Sequence, residues 1–526
     1  MTGNHIFTID LGTSGPKVAL FTLDGDYIDG EFSPVDLVLF PNGGVEQRTD
    51  DWWSAITSAS ERLWSRVLID PADVAVVSVT SQWSGTVPVD ANGHATHDAI
   101  IWMDARGAGV TREMASSRLN VAGYDPRKLK NWISLTGGAP SHSGKDPISH
   151  ILFIEKEMPK VAAATTVYLE PKDYLNLRLT GRAVSTYDSI VLHWLTDNRN
   201  PARIAYVDSL IADSGVDRSK LPDLIAATDI VGGVTAEAAA DLGLAAGTPV
   251  IGGTPDVQSA TIGSGAVADF EGHLYIGTSS WLTCHVPYKK TNLLNGVASL
   301  PSPLPGKYFV ANEQECAGKA LTWLRDEVLW PDDALGGGPA PEDALHRMDA
   351  LAATVPAGSN GVIFTPWLNG ERTPVDDHTI RGGWHNLALG NNRSDMIRAV
   401  LEGVACNSRW LMGAVEKFVG KPFPWLNFIG GGANSDLWCQ IHADVMNREI
   451  RQVEHPIRAN ARGAALLAAL ALGHIQAGEL GAKVAIAATY RPNPENRALY
   501  DDLFEEFTNL YKANKPIHKR LNAHRS

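Results

Sequence analysis

The chain has 526 residues, of which 44% are hydrophobic and 20% charged, and its formal net charge is −14. This length exceeds what one hydrophobic core supports, so we expect two domains of roughly 250 residues each. The acidic balance argues against nucleic acid as a partner, because a phosphate backbone needs basic surface.

The cysteines and the apolar segments indicate a cytoplasmic protein. Cys284, Cys316, Cys406 and Cys439 are far apart and have no metal-ligand spacing, which is typical of reduced core thiols. The N-terminus has neither the basic start nor the apolar stretch of a signal peptide. The longest apolar run, residues 463–473, has about half of the ~20 residues that a membrane span needs, so we expect a buried helix that ends at Gly473 and no membrane partner.

The first half of the chain opens with a β-hairpin and then alternates strand and helix patterns. The hairpin covers residues 5–23, with Asp10 as the last residue of its first strand and a turn at Gly12-Thr13-Ser14-Gly15. Apolar periodicity then predicts the helices and strands at 52–68 (helix), 74–80 (strand), 148–157 (helix) and 249–253 (strand).

The second half starts again with a strand–turn–strand pattern over residues 272–286, around Gly277-Thr278-Ser279. Amphipathic helices are predicted at 396–410 and 437–446. We place the domain boundary near residues 263–265, which gives domains 1–263 and 264–511. The basic tail, 512–526, is predicted to be an exposed helix end with disordered last residues.

The two Gly-Thr-Ser turns predict a site for a polyphosphate. Glycine lets the backbone approach a ligand, and the following N–H and hydroxyl groups donate hydrogen bonds to phosphate oxygens. In the first turn the Asp10 carboxylate is suited to Mg²⁺, while Thr13, Ser14 and Lys17 face the phosphates. A plain hairpin with a capping aspartate explains Asp10 equally well.

Asp256 is the best candidate for a catalytic base. It follows a buried strand, a Gly-Gly pair and a proline, at the carboxyl end of a strand, where ligands bind in open α/β sheets. Phosphoryl transfer needs one group that accepts the proton of the attacking hydroxyl. The alternative is an N-cap aspartate at the start of a helix.

Two other segments carry weaker signals. The run Gly430-Gly431-Gly432 lies between a strand and a helix, where a nucleotide can rest on bare backbone, but a tight αβ turn is an equal explanation. Trp83 and Trp102 are candidates for stacking on a sugar. The segment from Trp102 to Arg106 could equally hold a structural ion pair between Asp104 and Arg106.

In this order, the segments resemble the FGGY family of carbohydrate kinases over nearly the whole chain. The resemblance rests on ordered motifs rather than on any single one: 10–14 with Lys17, Gln47, 52–53, 102–106, 171–174, 178–181, 253–256, 277–279, 317–318, 323–324, 370–374, 398–403, 430–432 and 463–465. It implies an α/β protein with two ribonuclease-H-like domains of the actin/sugar-kinase class, with ATP and sugar in the cleft between them.

The resemblance also implies roles for individual residues. Asp10 would hold Mg²⁺ and Asp256 would be the general base. The positions that match the surroundings of the phosphates and the nucleotide are Thr13, Ser14, Thr278, Ser279, Gly318, Thr322, Gly431, Gly432 and Ser435. Because only the first turn carries Asp10 and Lys17, we expect it to handle the metal and the transferred phosphate, and the second turn to hold the phosphates of the nucleotide.

The sugar side departs from the family pattern. Xylulose kinases typically carry Met-His after the glutamine that Gln82 matches, and glycerol kinases carry Arg-Glu, whereas this chain has Trp83-Ser84. The chain is most similar to the xylulose-kinase-like branch, which implies a small ketose or polyol bound by Gln82, Trp83, Ser84, Trp102 and Asp256.

Other functions stay open at this point. An aldonate, a deoxy-ketose or a tetritol could be the acceptor, and an actin-like sugar or nucleotide sensor without catalysis is a further alternative. Members of the family are often dimers, so the resemblance allows a homodimer, although no sequence feature decides the oligomeric state.

Overall fold

The first half of the chain builds a mixed sheet. The structure, a computed structural model, describes residues 3–335 and 338–522. Up to Pro255 the strands are β1 (His5–Gly12), β2 (Gly15–Thr22), β3 (Tyr27–Phe32), β4 (Val38–Leu39), β5 (Val45–Gln47), β6 (Val74–Ser81), β7 (Val87–Val89), β8 (Ala99–Ile100), β9 (Val167–Leu169), β10 (Val184–Thr186), β11 (Thr196–Asp197), β12 (Ala205–Tyr206), β13 (Asp223–Ile225), β14 (Ile230–Gly233), β15 (Pro249–Ile251) and β16 (Thr254–Pro255).

The second half builds another mixed sheet. Its strands are β17 (Gly272–Ile276), β18 (Ser280–Val286), β19 (Thr291–Asn292), β20 (Val297–Pro301), β21 (Tyr308–Ala311), β22 (Ile363–Thr365), β23 (Gly383–His385), β24 (Trp425–Ile429), β25 (Glu449–Val453) and β26 (Ile486–Tyr490).

Helices cover both sheets. They are α1 (Thr49–Trp64), α2 (Ala108–Ala115), α3 (Pro126–Leu135), α4 (Pro147–Glu157), α5 (Pro159–Ala164), α6 (Pro171–Thr180), α7 (Asp208–Ser214), α8 (Ala236–Leu242), α9 (Asp256–Gly263), α10 (Gly318–Trp323), α11 (Ala344–Ala353), α12 (Arg393–Val419), α13 (Asp436–Met446), α14 (Ala459–Ala471) and α15 (Arg497–Asn522).

The two main sheets share a local plan. In the described residues the first has seven strands, in the order β14-β15-β6-β1-β2-β3 with β16 paired to β6, and the second has eight, in the order β19-β20-β21-β18-β17-β24-β25-β26. In each, a hairpin (β1–β2 or β17–β18) lies beside a parallel strand (β6 or β24). Both Gly-Thr-Ser turns therefore lie at corresponding places in the two sheets. This agrees with the strand–turn–strand pattern that the sequence predicts at the start of each half of the chain.

The side chains of β1 alternate between two hydrophobic cores, one on each face of the sheet. Phe7, Ile9 and Leu11 pack with α1 on one face, whereas Ile6 belongs to the core on the other face. That second core contains α14, a helix from the second half of the chain, packed against α9, β1 and β6. The apolar run predicted as a buried helix is thus α14, and it joins the two halves.

The predicted elements are largely confirmed, with shifted ends. The N-terminal hairpin, the strand at 74–80 and the helices near 52, 148, 396 and 437 are all present. One prediction is wrong: β1 continues beyond Asp10 to Gly12, because the hairpin register pairs Gly12 with Gly15 and closes in a two-residue turn. Asp10 therefore lies inside the strand, opposite Lys17.

The basic tail is helical as far as it is described. Helix α15 runs without interruption to Asn522, and residues 523–526 lie outside the described part of the chain. The predicted boundary near residues 263–265 falls at the end of α9 and stays a prediction. Among the described residues, no helix combines the length and the apolar character needed to cross a bilayer.

Candidate active site

Three parallel strands bring the acidic residues of the first domain to one edge. Strand β6 lies between β1 and β16, and its Thr80 is paired with Asp10 on one side and with Thr254 on the other. Because the chain leaves all three strands at their carboxyl ends, Asp10, Gln82 and Asp256 meet at this edge. The sequence places these residues on separate strands, and the sheet register brings them together.

Asp256 is the first residue of α9 and is half-buried. Its Oδ1 accepts a hydrogen bond of 2.8 Å from the main-chain N–H of Val257. The N-cap of α9 is Pro255, so Asp256 is not the capping residue that the alternative predicts. Its only capping-like contact among the described residues is the bond from Val257. Burial and the negative charge of Asp10 raise the pKa of Asp256 to about 7. A carboxyl group with that pKa can accept a proton near neutrality.

Asp10 is suited to a metal ion. It is almost completely buried, with Lys17 Nζ at 3.4 Å from its Oδ2 and no hydrogen-bond partner in the described residues for its Oδ1. Nowhere in the described residues do three or more His, Cys, Asp or Glu side chains form a metal-binding group. Mg²⁺ is usually held by one or two carboxylates and keeps several waters, so a buried carboxylate with a free oxygen fits this ion.

The predicted acceptor residues Gln82 and Trp102 form one network with Thr13. Gln82 Nε2 donates to Gln47 Oε1 at 2.7 Å, and Thr13 Oγ1 donates to Gln82 Oε1 at 3.3 Å. The indole N–H of Trp102 donates to Thr13 Oγ1 at 2.9 Å. The Thr13 hydroxyl is therefore engaged on the acceptor side of the turn, a placement that the sequence did not indicate. Ser14 and Lys17 beside it are exposed.

The ion-pair alternative for the segment after Trp102 is confirmed. Arg106 Nη2 lies 2.7 Å from Asp104 Oδ2, and Asp104 also accepts the N–H of Val45 at 2.8 Å. Asp104 and Arg106 thus join this loop to β5 and are structural.

Trp83 and Ser84 are both anchored. The indole N–H of Trp83 donates to the carbonyl of Ser189 at 2.9 Å, and its ring centroid is 6.0 Å from that of Phe309, on β21 of the second half. Ser84 has a φ of 64°, in the left-handed region, and its hydroxyl donates to the carbonyl of Lys145 at 2.8 Å. This unusual dipeptide thus lies where the two halves of the chain meet.

A charged cluster that the sequence did not assign to the site includes Glu313, whose charge acts on Asp256. Arg372 forms ion pairs with Glu313 and Glu315, and the charge of Glu313 contributes to the raised pKa of Asp256. Burial and the charge of Arg372 lower the pKa of Lys145. The motif at residues 370–374, which contains Arg372, contributes to the family resemblance but has no role predicted from the sequence. Lys145 lies outside all the motifs.

On the second sheet, the glycine-rich segments converge in the same way. Parallel pairing of Tyr275 with Ile429 brings Gly277-Thr278-Ser279 and Gly430-Gly431-Gly432 to one edge. A Cβ on Gly432 would lie 2.6 Å from Ile276 Cγ2, so only glycine allows this approach, while Gly431 is exposed and has open space around it. The exposed backbone at Gly431 is free to contact a ligand.

Helix α10 begins on the second Gly-Thr-Ser turn. The N–H of Gly318 donates to the carbonyl of Gly277 at 2.8 Å, and the N–H groups of Ala317 and Lys319 donate to the carbonyl of Thr278 at 3.0 and 3.2 Å. A Cβ on Gly318 would collide with the carbonyl oxygen of Gly277. These bonds place Thr278, Ser279 and Gly318 side by side.

Two further predicted nucleotide residues have local partners. Thr322, one turn further along α10, donates its hydroxyl to the carbonyl of Lys319 at 3.1 Å. Ser435 is the N-cap of α13 and accepts the N–H of Trp438 at 3.0 Å. Both lie close in sequence to the segments that converge, Thr322 near the end of α10 and Ser435 at the start of α13.

Tyr275 connects the two edges. It is the next-to-last residue of β17, its ring lies beside Gly277 and Gly430, and burial together with the charges of Asp256 and Asp10 raises its pKa. The tyrosine beside the glycine-rich turns of the second sheet is therefore within range of the charges of both carboxylates of the first. The arrangement offers exposed backbone at the turns of the second sheet and the carboxylates of Asp10 and Asp256 at the edge of the first.

Comparison with known proteins agrees with this geometry. The models of the N-terminal and C-terminal domains of the FGGY family of carbohydrate kinases match residues 5–263 and 273–472. The chain is 28% identical to a xylulose kinase of Staphylococcus epidermidis, over 98% of both chains. It is 26% identical to a gluconokinase of Bacillus licheniformis, over 97% of this chain and 96% of that protein.

The fold also matches a solved structure. The ligand-bound xylulose kinase from Lactobacillus acidophilus superposes with a TM-score of 0.84 at 22% identity, covering 98% of this chain and 99% of that one. This likeness confirms the two-domain α/β fold. With both domain models matched in order over nearly its whole length, the chain belongs to the FGGY family of carbohydrate kinases.

Proposed function

We propose that the protein transfers the γ-phosphoryl group of ATP to a terminal hydroxyl of a small ketose or polyol, with Asp256 as the general base. The observation that carries this proposal is the position of Asp256, half-buried beside Asp10 at the carboxyl edge of the first sheet, with a pKa raised to about 7 by burial and by the Asp10 charge. A base with that pKa is matched to deprotonating an alcohol during attack at neutral pH.

The transfer balances without a further reactant. The acceptor oxygen forms a bond to the γ-phosphorus, its proton goes to a carboxylate oxygen of Asp256, and the bond from the γ-phosphorus to the bridging oxygen breaks with release of ADP. The Gly277 turn, the start of α10 and Gly431 would bind the phosphates of the nucleotide through main-chain groups. Ser14 and Lys17 would contact the phosphate that moves.

Asp10 is the residue that would hold Mg²⁺, through its unpartnered Oδ1. When bound, Mg²⁺ neutralises the charge of the phosphates during transfer. Gln82, Trp102 and the Trp83-Ser84 turn would orient the acceptor, since all are held by hydrogen bonds at the same edge as Asp256. Closure of the two domains on the acceptor would exclude water, which competes for the γ-phosphate.

A panel of acceptors tests the proposal. ADP release with Mg·ATP would be measured for xylulose, ribulose, a deoxy-ketose, xylitol, erythritol, glycerol and gluconate, with Asp256→Asn as the inactive control. We expect one ketose or polyol to raise ADP release well above the rate with water alone. Binding of a sugar without ADP formation from any acceptor would contradict catalysis and support a sensor.

An aldonate is the second candidate, favoured by Lys145. Its side chain is half-buried beside the Ser84 turn, and none of the described residues forms an ion pair with it, so it is the cation that could meet an acceptor carboxylate. Lys145→Met distinguishes the two candidates. With an aldonate acceptor the substitution should raise the acceptor KM by about tenfold or more, whereas with a neutral ketose it should change KM about twofold or less, since ion-assisted hydrogen bonds are roughly twice as strong as neutral ones.

A further inference from the structure

One helix touches both the acceptor turn and the chain segment that ends at Asp256. This helix is α6 (Pro171–Thr180), and the polar side chains at its start, Glu170, Lys172, Asp173 and Asn176, are all at most 2% exposed. Charged side chains buried to this degree are held only where partners compensate them. Glu170, Lys172 and Asn176 have partners on these two segments, and the partners of Asp173 are Lys172, Ser185 and Ser189.

Glu170 holds the acceptor turn. Its Oε2 accepts the main-chain N–H of Gly85 at 3.0 Å, directly after Ser84 with its left-handed φ of 64°. A Cβ on Gly85 would lie 2.6 Å from Pro171 Cγ, so the turn lies against the N-terminus of α6. A shift of α6 would therefore move the turn that carries Trp83 and Ser84.

Lys172 and Asn176 hold the other segment. Both donate to the carbonyl oxygen of Gly252, from Nζ at 2.9 Å and from Nδ2 at 2.8 Å. The next residue, Gly253, has a φ of 70°, and a Cβ there would collide with the carbonyl of Val79 on β6. The carbonyl that α6 holds thus lies four residues before Asp256. It is in the short link between β15 and β16, which both pair with β6.

Asp173 links this cluster to Trp83. It forms an ion pair with Lys172, and its Oδ2 accepts the hydroxyls of Ser185 and Ser189 at 2.5 and 3.3 Å. The carbonyl of Ser189 in turn accepts the indole N–H of Trp83 at 2.9 Å. The acceptor turn is therefore tied to α6 at two points, at Gly85 and through Trp83.

We propose that Glu170, Lys172, Asp173 and Asn176 are positioning residues that set the spacing between the acceptor turn 82–85 and Asp256. The inference rests on the proposed function, since it needs an acceptor at the turn and a base at Asp256. The four residues act through Gly85, Trp83 and Gly252 and touch neither substrate. A displacement of about 1 Å between reacting groups can lower a rate on the order of 100-fold.

The Gly252 side is tested with two substitutions, neither of which leaves one member of the Lys172–Asp173 ion pair without the other. Asn176→Leu removes the amide donor together with its Oδ1, which has no partner among the described residues. The double variant Lys172→Met/Asp173→Asn removes the ion pair as a whole. With the acceptor that the panel identifies, we expect kcat to fall about tenfold for the first and about 100-fold for the second, with the KM for ATP changed less than twofold.

The Gly85 side is tested with Glu170→Met, with Glu170→Gln as the conservative rescue. Methionine removes the acceptor for the Gly85 N–H and should raise the acceptor KM about tenfold. Glutamine keeps an oxygen at that place and should restore the acceptor KM to within about twofold of the wild type. Methionine and glutamine fill similar space, so a difference between the two variants would show that the hydrogen bond matters and not only the volume of the side chain.

A matched control separates positioning from loss of stability. Arg398 and Glu402 form a comparably buried ion pair on α12, with Nε at 2.7 Å from Oε1, and touch none of the proposed site residues. Arg398→Met/Glu402→Gln should lower the melting temperature but leave kcat unchanged at temperatures where the protein is folded.

The outcomes also separate this inference from the proposed function. An inactive Asp256→Asn together with wild-type kinetic constants in all α6 variants would overturn the positioning role alone. Full activity of Asp256→Asn would overturn the proposed function and with it the inference. An equal fall of kcat in the Arg398→Met/Glu402→Gln control would assign the α6 effects to stability and contradict positioning.

Discussion

At the scale of single residues, the site depends on buried carboxyl groups whose partners are incomplete. Asp10 keeps one unpartnered oxygen in the described residues, and Asp256 uses only one oxygen for the Val257 N–H. The negative charge of Asp10 raises the pKa of Asp256, because it disfavours a second negative charge nearby. Such incomplete pairing is unfavourable for folding alone and is typical of groups that act on a ligand.

Asp256 is the residue whose loss should separate chemistry from binding. Asp256→Asn keeps the shape of the side chain but removes its ability to accept a proton, so kcat should fall by about 100-fold or more. Steady-state kinetics would give kcat, and calorimetry would give the affinity for ATP, which should stay near that of the wild type. Unchanged turnover would refute the base assignment.

The pH dependence of the reaction should report the same group. Asp256 has to be ionised to act, and its pKa is raised to about 7 by burial and by the charge of Asp10, so activity is present above this pH and is lost as the pH falls. The logarithm of kcat/KM for the acceptor should decline with unit slope below about pH 7. A rate that stays flat down to pH 5 would contradict the raised pKa.

At the scale of elements, the proposed nucleotide site is shaped by the close contact between the start of α10 and the turn at residues 277–279. Helix α10 starts where three successive N–H groups, from Ala317 to Lys319, bond to the carbonyls of Gly277 and Thr278. This contact is possible because Gly318 has no side chain between the two segments. The shape of the turn thus depends on one glycine outside it.

Gly318→Ala should weaken nucleotide binding selectively. The new Cβ meets the carbonyl of Gly277, so α10 must move away from the turn, and we expect the KM for ATP to rise about tenfold, corresponding to about 1.4 kcal/mol. The acceptor KM should change little.

Gly413→Ala on α12 serves as the control for Gly318→Ala, since a Cβ there meets no atom within 4 Å. It should leave both KM values unchanged and stabilise the protein by about 0.5–1 kcal/mol. An unchanged ATP KM in Gly318→Ala would show that α10 does not shape the nucleotide site.

At the scale of the whole molecule, α9 and α14 join the two domains. Ser259 Oγ donates to the carbonyl of Asn460 at 2.7 Å, and Gly263 and Gly463 allow the two backbones to touch. Because α9 begins with Asp256, the packing between the domains and the position of Asp256 are set by the same helix. A change in this contact should therefore affect both stability and rate.

Gly463→Ala tests this coupling. Its Cβ would collide with the carbonyl of Ser259, and such overpacking should lower the free energy of unfolding by about 3 kcal/mol. Denaturant titration would measure the stability, and kcat would be measured where the variant is folded and should also fall. Gly478→Ala, where a Cβ meets nothing within 4 Å, should change neither, and normal stability of Gly463→Ala would contradict the close packing.

Local patterns in the sequence were sufficient for the fold and for the family, and they also predict the donor side. Short-range backbone conformation determines the hairpin, the two Gly-Thr-Ser turns and the glycine run at 430–432. Glycines and alternating apolar residues indicate such conformations directly in the sequence. Their order along the chain carries the resemblance to sugar kinases, and the matched domain models confirm it. Asp10 and Asp256 could be named because each directly follows or ends a strand pattern.

Only the tertiary structure decided which distant side chains surround these residues. The hydroxyl of Thr13 bonds to Trp102 and Gln82, the charge of Glu313, which is paired with Arg372, acts on Asp256, and α6 reaches both Gly85 and Gly252. These contacts join segments that are tens to hundreds of residues apart, and no local pattern encodes the register of a sheet or the packing of a helix between two loops. The sequence by itself thus determined the class of reaction, while packing between distant segments decided which side chains surround Asp10, Asp256 and the Trp83-Ser84 turn.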